Sequence, residues 1–479
     1  MSDSLRSKIF SGLVWSAIRV WGNRMGGLAI FFILARLLSP TEFGIYAAVW
    51  AILLALEVLT EQGLADAIVQ ASEINSEQLN AVFLINFFTS LAVCGGVLLL
   101  APEIAIWLSM PAVEYPLQVA SASIVINALG FCQLALYRRQ FQYRWLAMRS
   151  LIATLVSGGI GIGLALSGFG VWALIWQYLA AASFNLFLLW IKPLWHPSSA
   201  ISWQGLAQLL RFSSKLLLSR LLEVGNVRVF ELAIGAWMGA AMLGFYSVGS
   251  RVHQIVIQLL SSAVLDVGLS GFSRLVDDPT RFTAAYYKAL IATCALAMPV
   301  FLLLAAVADE FCVAVFGLQW QASGPILHWL AILGAVQSVQ YISGAAITAL
   351  GHSGKTLMIT GAKTVATAIV LCFFGHGELL ELVEAFVYGQ LLVSPLGFAL
   401  GKRQIGFSWR TLAVKVWPFL IAACTAYWAV FWVRQYCLSD NPWLRLILPG
   451  LFGVAVYSIL SITLNLKTFI TTLKYLRHS

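Results

Sequence analysis

Long apolar runs alternate with short polar connections over the whole length of the chain. Most runs are long enough to cross a bilayer, because a spanning helix needs about 20 apolar residues. The runs are continuous and do not alternate apolar with polar positions, so they indicate α-helices and argue against the short strands of a β-barrel. Fourteen spans are predicted, near residues 10–38, 42–63, 79–101, 116–136, 145–167, 170–191, 214–238, 244–265, 284–308, 324–350, 356–374, 380–400, 412–433 and 443–465.

The first span contains polar and charged residues that a lipid-facing helix would exclude. Its sequence, FSGLVWSAIRVWGNRMGGLAIFFILARLL, places Arg19, Asn23 and Arg24 near the middle. An arginine at the centre of a spanning helix costs about 2.5–3.5 kcal/mol on insertion scales. Ser16, Arg19 and Asn23 share one face of the helix, since residues three and four apart lie on the same side. We expect this face to line water or a ligand.

The composition is that of a polytopic membrane protein. Of the 479 residues, 60% are hydrophobic and 10% are charged, whereas a soluble globular protein carries about 25% charged residues. The apolar stretch after Lys8 is too long for the core of a cleavable signal, so the first helix is expected to stay. The seven cysteines are scattered and form no C-x-x-C pair. No disulfide framework, metal site or cofactor site is therefore predicted.

Lysine and arginine predict the orientation, because they accumulate on the cytoplasmic side of a membrane protein. With the N-terminus inside, nineteen of these residues fall in cytoplasmic segments and three, Arg36, Arg434 and Arg445, on the opposite face. Both termini are therefore predicted to be cytoplasmic. The basic loops account for the net charge of +9 without nucleic acid as a partner.

Short motifs recur in the same order in the two parts of the chain. They are FS at 10 and 212, GN at 22 and 225, LAI at 28 and 232, and G-x-Y at 44 and 244. Six predicted spans separate the copies, so both enter the membrane from the same side as a parallel repeat. We predict two six-helix lobes, residues 1–203 and 204–403, followed by two helices and a cytoplasmic tail in residues 404–479.

Cations that lie inside the spans are the main candidates for a functional site. Helix 7 repeats the pattern of helix 1, since Arg220, Glu223, Arg228 and Glu231 are spaced to form one polar stripe. Four arginines facing lipid would cost roughly 10–14 kcal/mol, so they are predicted to face inward. A cavity between the repeated helices would then attract an anionic ligand. The predicted substrate-binding residues are Arg19, Asn23, Arg24, Arg220, Arg228, Arg251 and Lys363.

The same charges also have structural interpretations. Arginines can pair with acidic residues and merely fix helix packing, or extend to the interface near a span end, which suits Arg149 and Arg220 best. Acidic groups and histidine inside spans can bind and release a coupling ion, although each can equally be an ion-pair partner or an ordinary polar residue. The ion-coupling candidates are Glu57, Glu61, Asp66, Glu223, Glu231, His253 and Asp266.

Two motifs resemble nucleotide-binding patterns but lack the required context. ALGHSGKT (Ala349–Thr356) lacks the first glycine of a phosphate loop and follows an apolar helix, so it predicts a tight turn between helices 10 and 11. GGIGIG (Gly158–Gly163) lies within helix 5, where small residues permit close helix packing. No catalytic arrangement on a soluble domain is evident, and an enzyme is not expected.

Several segments in chain order carry a family resemblance. They are ARLLSPTEFGIYAAVWAI (35–52), GLADAIVQ (63–70), LGFYSVGSRV (243–252), VFGLQWQASGPILHWLAILG (315–334) and ITALGHSGKT (347–356). Together they resemble the polysaccharide transporters, the Wzx-type lipid-linked oligosaccharide flippases of the multidrug/oligosaccharidyl-lipid/polysaccharide superfamily, and among these the colanic-acid exporter type. The resemblance implies a V-shaped pair of six-helix lobes, alternating access, and translocation of an undecaprenyl-pyrophosphate-linked glycan. Ser270 stands where the family commonly has a proline, which leaves open whether the chain breaks there.

A lipid-linked oligosaccharide flippase is the leading hypothesis, because the resemblance implies it and because arginines within the spans can bind phosphate oxygens in a bidentate manner. We expect it in the inner membrane, driven by H+ or Na+, carrying an O-antigen, capsule or exopolysaccharide unit beside a polymerase and chain-length machinery. One alternative is a cation-coupled drug or small-solute antiporter of the same superfamily, which would favour an acidic and aromatic lumen. The other is a non-transporting membrane scaffold of polysaccharide biosynthesis.

Overall fold

The computed structural model describes residues 22, 25–61, 64–70, 74–200, 224–225, 227–273, 275–436 and 440–478. It gives side chains for all of these except residues 61, 66, 67, 70, 261–271, 273, 353 and 465–478. The described ranges consist of helices joined by short connections and contain no β-strand. The all-helical fold class predicted from the apolar runs is therefore confirmed.

The chain divides into two compact units, with the boundary after Gly244. Unit 1 comprises Met1–Gly244, and a 3-10 turn at Pro111–Val113 lies between two of its helices. Its described helices are α1 (Met25–Leu37), α2 (Pro40–Glu61), α3 (Leu64–Gln70), α4 (Ser76–Trp107), α5 (Glu114–Ala120), α6 (Ala122–Arg139), α7 (Tyr143–Leu166), α8 (Val171–Trp190) and α9 (227–238).

Unit 2 comprises Phe245–Ser479 and contains most of the next helix, α10 (Ala240–Ser273). Its other helices are α11 (Pro279–Ala306), α12 (Ala308–Phe316), α13 (Ser323–Ala349), α14 (Ser353–Phe374), α15 (Leu379–Ile405), α16 (Trp409–Tyr436) and α17 (Pro442–His478). The division at residues 203 and 403 that the repeat predicts stays a prediction.

Eleven helical segments of the described chain are long and apolar enough to cross a membrane. They coincide with predicted spans. The count of fourteen stays a prediction, because parts of the spans predicted at 10–38, 214–238 and 244–265 lie outside the described residues or side chains. The short helices α3 and α12 were not predicted. They have seven and nine residues, so neither is an apolar run of spanning length.

Side chains cap the helices where polar connections end. The N–H of Ser39 donates to Oε2 of Glu42 at 2.6 Å, and the N–H of Glu42 donates to Oγ of Ser39 at 3.4 Å. Asn75 and Gln78 form the same reciprocal pair at the start of α4. Asp278 accepts two N–H groups from the first turn of α11. Each cap satisfies amides that the first helical turn leaves without a partner.

Three sequence features discussed above can be located in the structure. The turn predicted from ALGHSGKT joins α13 to α14 and contains Gly351 at φ +80°, a conformation that glycine adopts without steric penalty. GGIGIG lies inside α7, where Gly158 packs against Ile30 of α1. The backbone of α10 continues through Ser270 without a break.

Two glycines of unit 1 allow two helix starts to touch through their backbones. A Cβ atom on Gly44 of α2 would overlap the carbonyl oxygen of Ala240, and a Cβ atom on Gly244 would overlap the carbonyl oxygen of Pro40. The contact is reciprocal, because each glycine faces the residue four positions before the other. It joins the two copies of the G-x-Y motif that the repeat analysis identified.

The segment 192–200 that follows α8 is fixed to unit 1 by buried amides. Asn80 of α4 donates to Oγ of Ser198 at 2.7 Å and accepts its N–H at 3.1 Å. Gln133 of α6 donates to the carbonyl of Trp195, and the Trp195 ring is buried among side chains of α3, α4 and α6. This part of the connection predicted to divide the lobes is therefore an ordered part of unit 1.

The last two helices pack into the core of unit 2. Phe419 and Ala423 of α16 are fully buried against α11. The hydroxyl of Tyr457 in α17 donates to the carbonyl of Ala295 at 2.7 Å. Helices α16 and α17 are therefore integral to this unit.

We expect Gly244→Ala to destabilise the protein by about 3 kcal/mol, because the added methyl group meets backbone atoms that cannot move aside. Gly95→Ala is the matched control, since a Cβ atom there has no neighbour within 4 Å among the described atoms. It should be neutral or stabilise by about 0.5–1 kcal/mol. Thermal unfolding in detergent, followed by size-exclusion chromatography, measures both. Equal melting temperatures for the two variants would contradict the backbone contact.

Asn80→Ala should release the segment 192–200, because it leaves buried polar groups without partners at a cost of about 1–3 kcal/mol. We expect faster chymotrypsin cleavage after Trp195 than in the wild type. Gln142→Ala removes an exposed amide and serves as the control. An unchanged cleavage rate in Asn80→Ala would show that the amide does not hold the segment.

Candidate functional site

Ionisable side chains within the spans are the starting point for locating a site. The structure describes the side chains of six predicted site residues, which are Glu57, Arg228, Glu231, Arg251, His253 and Lys363. Arg19, Asn23, Arg24, Arg220 and Glu223 lie outside the described residues, as do the side chains of Glu61, Asp66 and Asp266.

In unit 1, the carboxylate of Glu57 joins three helices. Asn127 of α6 donates Nδ2 to Oε1 of Glu57 at 3.0 Å, and the hydroxyl of Tyr178 in α8 donates to the same oxygen at 2.9 Å. Two neutral side chains therefore donate hydrogen bonds to an acidic residue of a membrane span. This is expected, because polar groups away from water need hydrogen-bond partners. Glu57 was predicted from the sequence, whereas Asn127 and Tyr178 were not, because one polar residue in an apolar run does not reveal its partner.

Three aromatic rings lie near this carboxylate, two on α2 and one on α8. Trp50 lies edge-on to Tyr178, with ring centroids 4.9 Å apart and an interplanar angle of 90°. Tyr46 stacks on Trp50 with centroids 6.3 Å apart. All three rings are half-buried. Glu57 is thus an acid beside an aromatic surface.

On α9, Arg228 is paired with Glu231. Nη1 of Arg228 lies 2.5 Å from Oε2 of Glu231, and their side chains are 19% and 7% exposed. Removing one partner of such a pair leaves a buried charge uncompensated, which is strongly destabilising. The pair corresponds to the structural interpretation of these residues, and a role of Arg228 in ligand binding stays a prediction.

In unit 2, Lys363 lies where three helices meet. Its Nζ donates to Oε1 of Gln340 on α13 at 2.8 Å. Gln390 of α15 donates Nε2 to Oγ1 of Thr367 at 3.1 Å and to the carbonyl of Lys363 at 3.3 Å. Lys363 is half-buried and Gln390 is buried. The ammonium group is therefore bound by a neutral amide, and the site can accept an anion.

Two further candidates on α10 lie in different environments. Arg251 is exposed, whereas His253 is buried with its ring centroid 5.9 Å from that of Phe301. Nδ1 of His253 has no hydrogen-bond partner among the described residues. The two residues therefore do not share a face of the helix.

A separate ion cluster connects α12 to α16. Arg434 contacts Oδ2 of Asp309 at 3.1 Å and Oε1 of Glu310 at 3.0 Å, and it donates to the carbonyl of Ala306. Burial raises the pKa of the Glu310 carboxyl, while the nearby Arg434 lowers it. The cluster gives Arg434, predicted for the outer face, a structural role. Among the described residues, no three histidine, cysteine or acidic side chains are grouped so as to hold a metal ion.

Known proteins are similar to this chain in sequence or in fold. The succinoglycan biosynthesis transport protein ExoT of Rhizobium meliloti (strain 1021) is 27% identical over 85% of this chain and 80% of its own. The lipopolysaccharide biosynthesis protein WzxC of Escherichia coli (strain K12) is 24% identical over 88% of this chain and 87% of its own. Among solved structures, the lipid II flippase MurJ in an inward closed conformation has a TM-score of 0.77 at 16% identity, covering 94% of this chain and 98% of that one.

The structural likeness shows the fold, and the sequence matches show the family. By name, ExoT is a transport protein and MurJ is a flippase. The resemblance to polysaccharide transporters noted in the sequence is confirmed, and the chain is a multi-pass membrane protein. A family model described as "Polysaccharide biosynthesis protein" matches residues 33–325, which is more than half of the chain. The chain therefore belongs to the polysaccharide biosynthesis protein family.

Proposed function

We propose that this protein moves an undecaprenyl-pyrophosphate-linked oligosaccharide across the inner membrane by alternating access. The cargo is a repeat unit of O-antigen, capsule or exopolysaccharide, passed to a polymerase and its chain-length machinery on the far side. The names of ExoT and WzxC refer to succinoglycan transport and lipopolysaccharide biosynthesis, and both proteins are matched over most of their length. Both termini are proposed to be cytoplasmic, as the distribution of basic residues predicts.

The observation that carries this proposal is the environment of Lys363. An ammonium group within a spanning helix is costly and is usually functional. Its described partner, Gln340, is a neutral amide, so no described carboxylate compensates the charge. A phosphate oxygen would supply that compensation, and hydrogen bonds between charged groups are about twice as strong as neutral ones.

The other two described cations of the predicted site have weaker evidence for binding an anionic headgroup. Arg251 is exposed on α10, and Arg228 has Glu231 as its partner. We propose that a diphosphate competes with Glu231 for Arg228. The carboxylate released in that exchange then takes up the coupling cation, H+ or Na+. Among the described residues, Glu231 is therefore the first candidate for ion coupling, and His253 is the second.

A second candidate function is an antiporter for cationic drugs or small solutes. It is favoured by Glu57, because a carboxylate beside Tyr46, Trp50 and Tyr178 could attract a cation to aromatic faces. The intramembrane Lys363 argues against it, since an ammonium group within a span would bind an anion and not a cationic solute.

We expect Lys363→Ala to lower the initial rate of glycolipid translocation by about tenfold, the equivalent of about 1.4 kcal/mol. Lys363→Arg should keep most of the rate, because the positive charge remains. Proteoliposomes loaded with the labelled polyprenyl oligosaccharide of the host strain provide the measurement. Lys402→Ala, which removes an exposed cation at the end of α15, is the control.

The same variants separate the two candidate functions. If Lys363→Ala translocates the glycolipid at the wild-type rate, the phosphate site is elsewhere. If the wild type raises ethidium resistance in a drug-sensitive strain and moves no glycolipid, the antiporter is correct.

Replacing both partners of the buried pair tests Arg228 without leaving a lone charge. We expect Arg228→Leu combined with Glu231→Leu to fold, because apolar side chains of similar volume often replace a buried ion pair without loss of stability. Translocation should nevertheless fall at least tenfold, since the cation for the headgroup is missing. A well-folded double variant with wild-type transport would show that the pair only fixes helix packing.

A further inference from the structure

One face of α2 presents a row of aromatic and acidic side chains. Tyr46, Trp50 and Glu57 are separated by four and seven residues, so they lie on the same side of the helix. At 1.5 Å per residue, the row extends about 16 Å along α2. We call these three residues, together with Asn127 and Tyr178, the α2 stripe.

The members of the stripe are held in fixed positions relative to one another. The ring of Trp50 contacts both Tyr46 and Tyr178, with centroid distances of 6.3 and 4.9 Å. The hydroxyl of Tyr178 then reaches Oε1 of Glu57, which Asn127 also contacts. Three helices of unit 1 thus support one continuous surface of rings and polar groups. Such support preorganises a binding surface.

The side chains of the α2 stripe are partly accessible at the surface of unit 1. Asn127 is exposed, and the other four side chains are half-buried. All five lie on helices that are apolar enough to span the membrane. Ionisable groups such as Glu57 within spans usually face the interior of the protein or a water-filled cavity, because contact with lipid is costly. A surface of this kind is available to a polar ligand that passes through the membrane.

The chemistry of the stripe matches a neutral, polyhydroxylated ring better than a phosphate. Glu57 supplies acceptor oxygens, and Asn127 and Tyr178 can both donate and accept. A carboxylate repels a diphosphate by like charge. Tyr46 and Trp50 offer apolar ring faces of fixed geometry. A sugar has hydroxyl groups around its rim and C–H groups on its faces, so it can use both features at once.

We propose that the α2 stripe is a sugar-binding subsite that holds the glycan part of the cargo. In this arrangement Tyr46 and Trp50 stack on sugar faces. Glu57, Asn127 and Tyr178 exchange hydrogen bonds with sugar hydroxyls. The inference rests on the proposed function and adds to it, because it assigns the glycan to unit 1 through residues that no phosphate contact requires.

Binding of a free oligosaccharide tests this subsite directly. The probe is the oligosaccharide released by mild acid from the polyprenyl lipids of the host strain, titrated calorimetrically into the full chain in detergent. We expect Trp50→Leu and Tyr178→Phe to raise Kd about tenfold, and Trp50→Phe to raise it less because a ring remains. Trp176→Leu is the control, since Trp176 is exposed on α8 and lies outside the stripe. Its Kd should equal that of the wild type.

The outcomes separate this subsite from the proposed function. A wild type that binds no oligosaccharide, or a folded Trp50→Leu variant with wild-type affinity, would overturn the subsite. Loss of ethidium binding in Trp50→Leu, without loss of oligosaccharide binding, would assign the stripe to cationic solutes instead. If the wild type binds the oligosaccharide but moves no glycolipid in proteoliposomes, the subsite stands and the proposed function fails.

Glu57→Gln distinguishes sugar binding from ion coupling at the same residue. The amide keeps the shape of the side chain and one acceptor oxygen, so we expect weaker oligosaccharide binding. The pH dependence of glycolipid translocation should stay that of the wild type. A flattened pH profile with unchanged oligosaccharide affinity would assign Glu57 to the coupling ion and overturn its role in the stripe.

Discussion

The structure depends on one constraint, which is that a charged side chain inside an apolar span must be met by a polar group. Each unit satisfies it across three helices. In unit 1, Glu57 of α2 is bound by side chains of α6 and α8. In unit 2, Lys363 of α14 is bound from α13, and its backbone carbonyl from α15. These contacts fix the rotation of each helix about its axis, which apolar packing alone specifies weakly when most side chains are of similar size.

The constraint also gives the two units different chemistry. Unit 1 displays a carboxylate beside aromatic rings, and unit 2 displays an ammonium group among amides. A glycan linked to a diphosphate has two parts with a similar contrast, since the sugar is rich in hydroxyls while the diphosphate is anionic. Under the proposed function, the carboxylate and rings suit the sugar, and the ammonium group suits the diphosphate. A cationic drug would be suited to the carboxylate and rings alone.

Much of the fold could be predicted from the sequence, because long apolar runs and turn residues act locally. The spans, the turn at Gly351 and the position of GGIGIG inside α7 all follow from this. The site could be predicted only in part. Ionisable residues stand out in an apolar run, and Glu57 and Lys363 were found in that way. Their neutral partners were missed, because Asn127 and Tyr178 are 70 and 121 residues from Glu57 in the chain. No local spacing encodes a contact of that separation.

The reciprocal contact of Gly44 with Ala240, and of Gly244 with Pro40, has a consequence for sequence divergence. A mutation that adds a side chain at one glycine displaces the backbone beside the other, so neither position can drift independently. In the predicted repeat, the spacing between the copies of the other motifs differs by two to four residues from that of this pair. Backbone contact thus restricts the two glycine positions jointly, whatever the other motifs of the predicted repeat do.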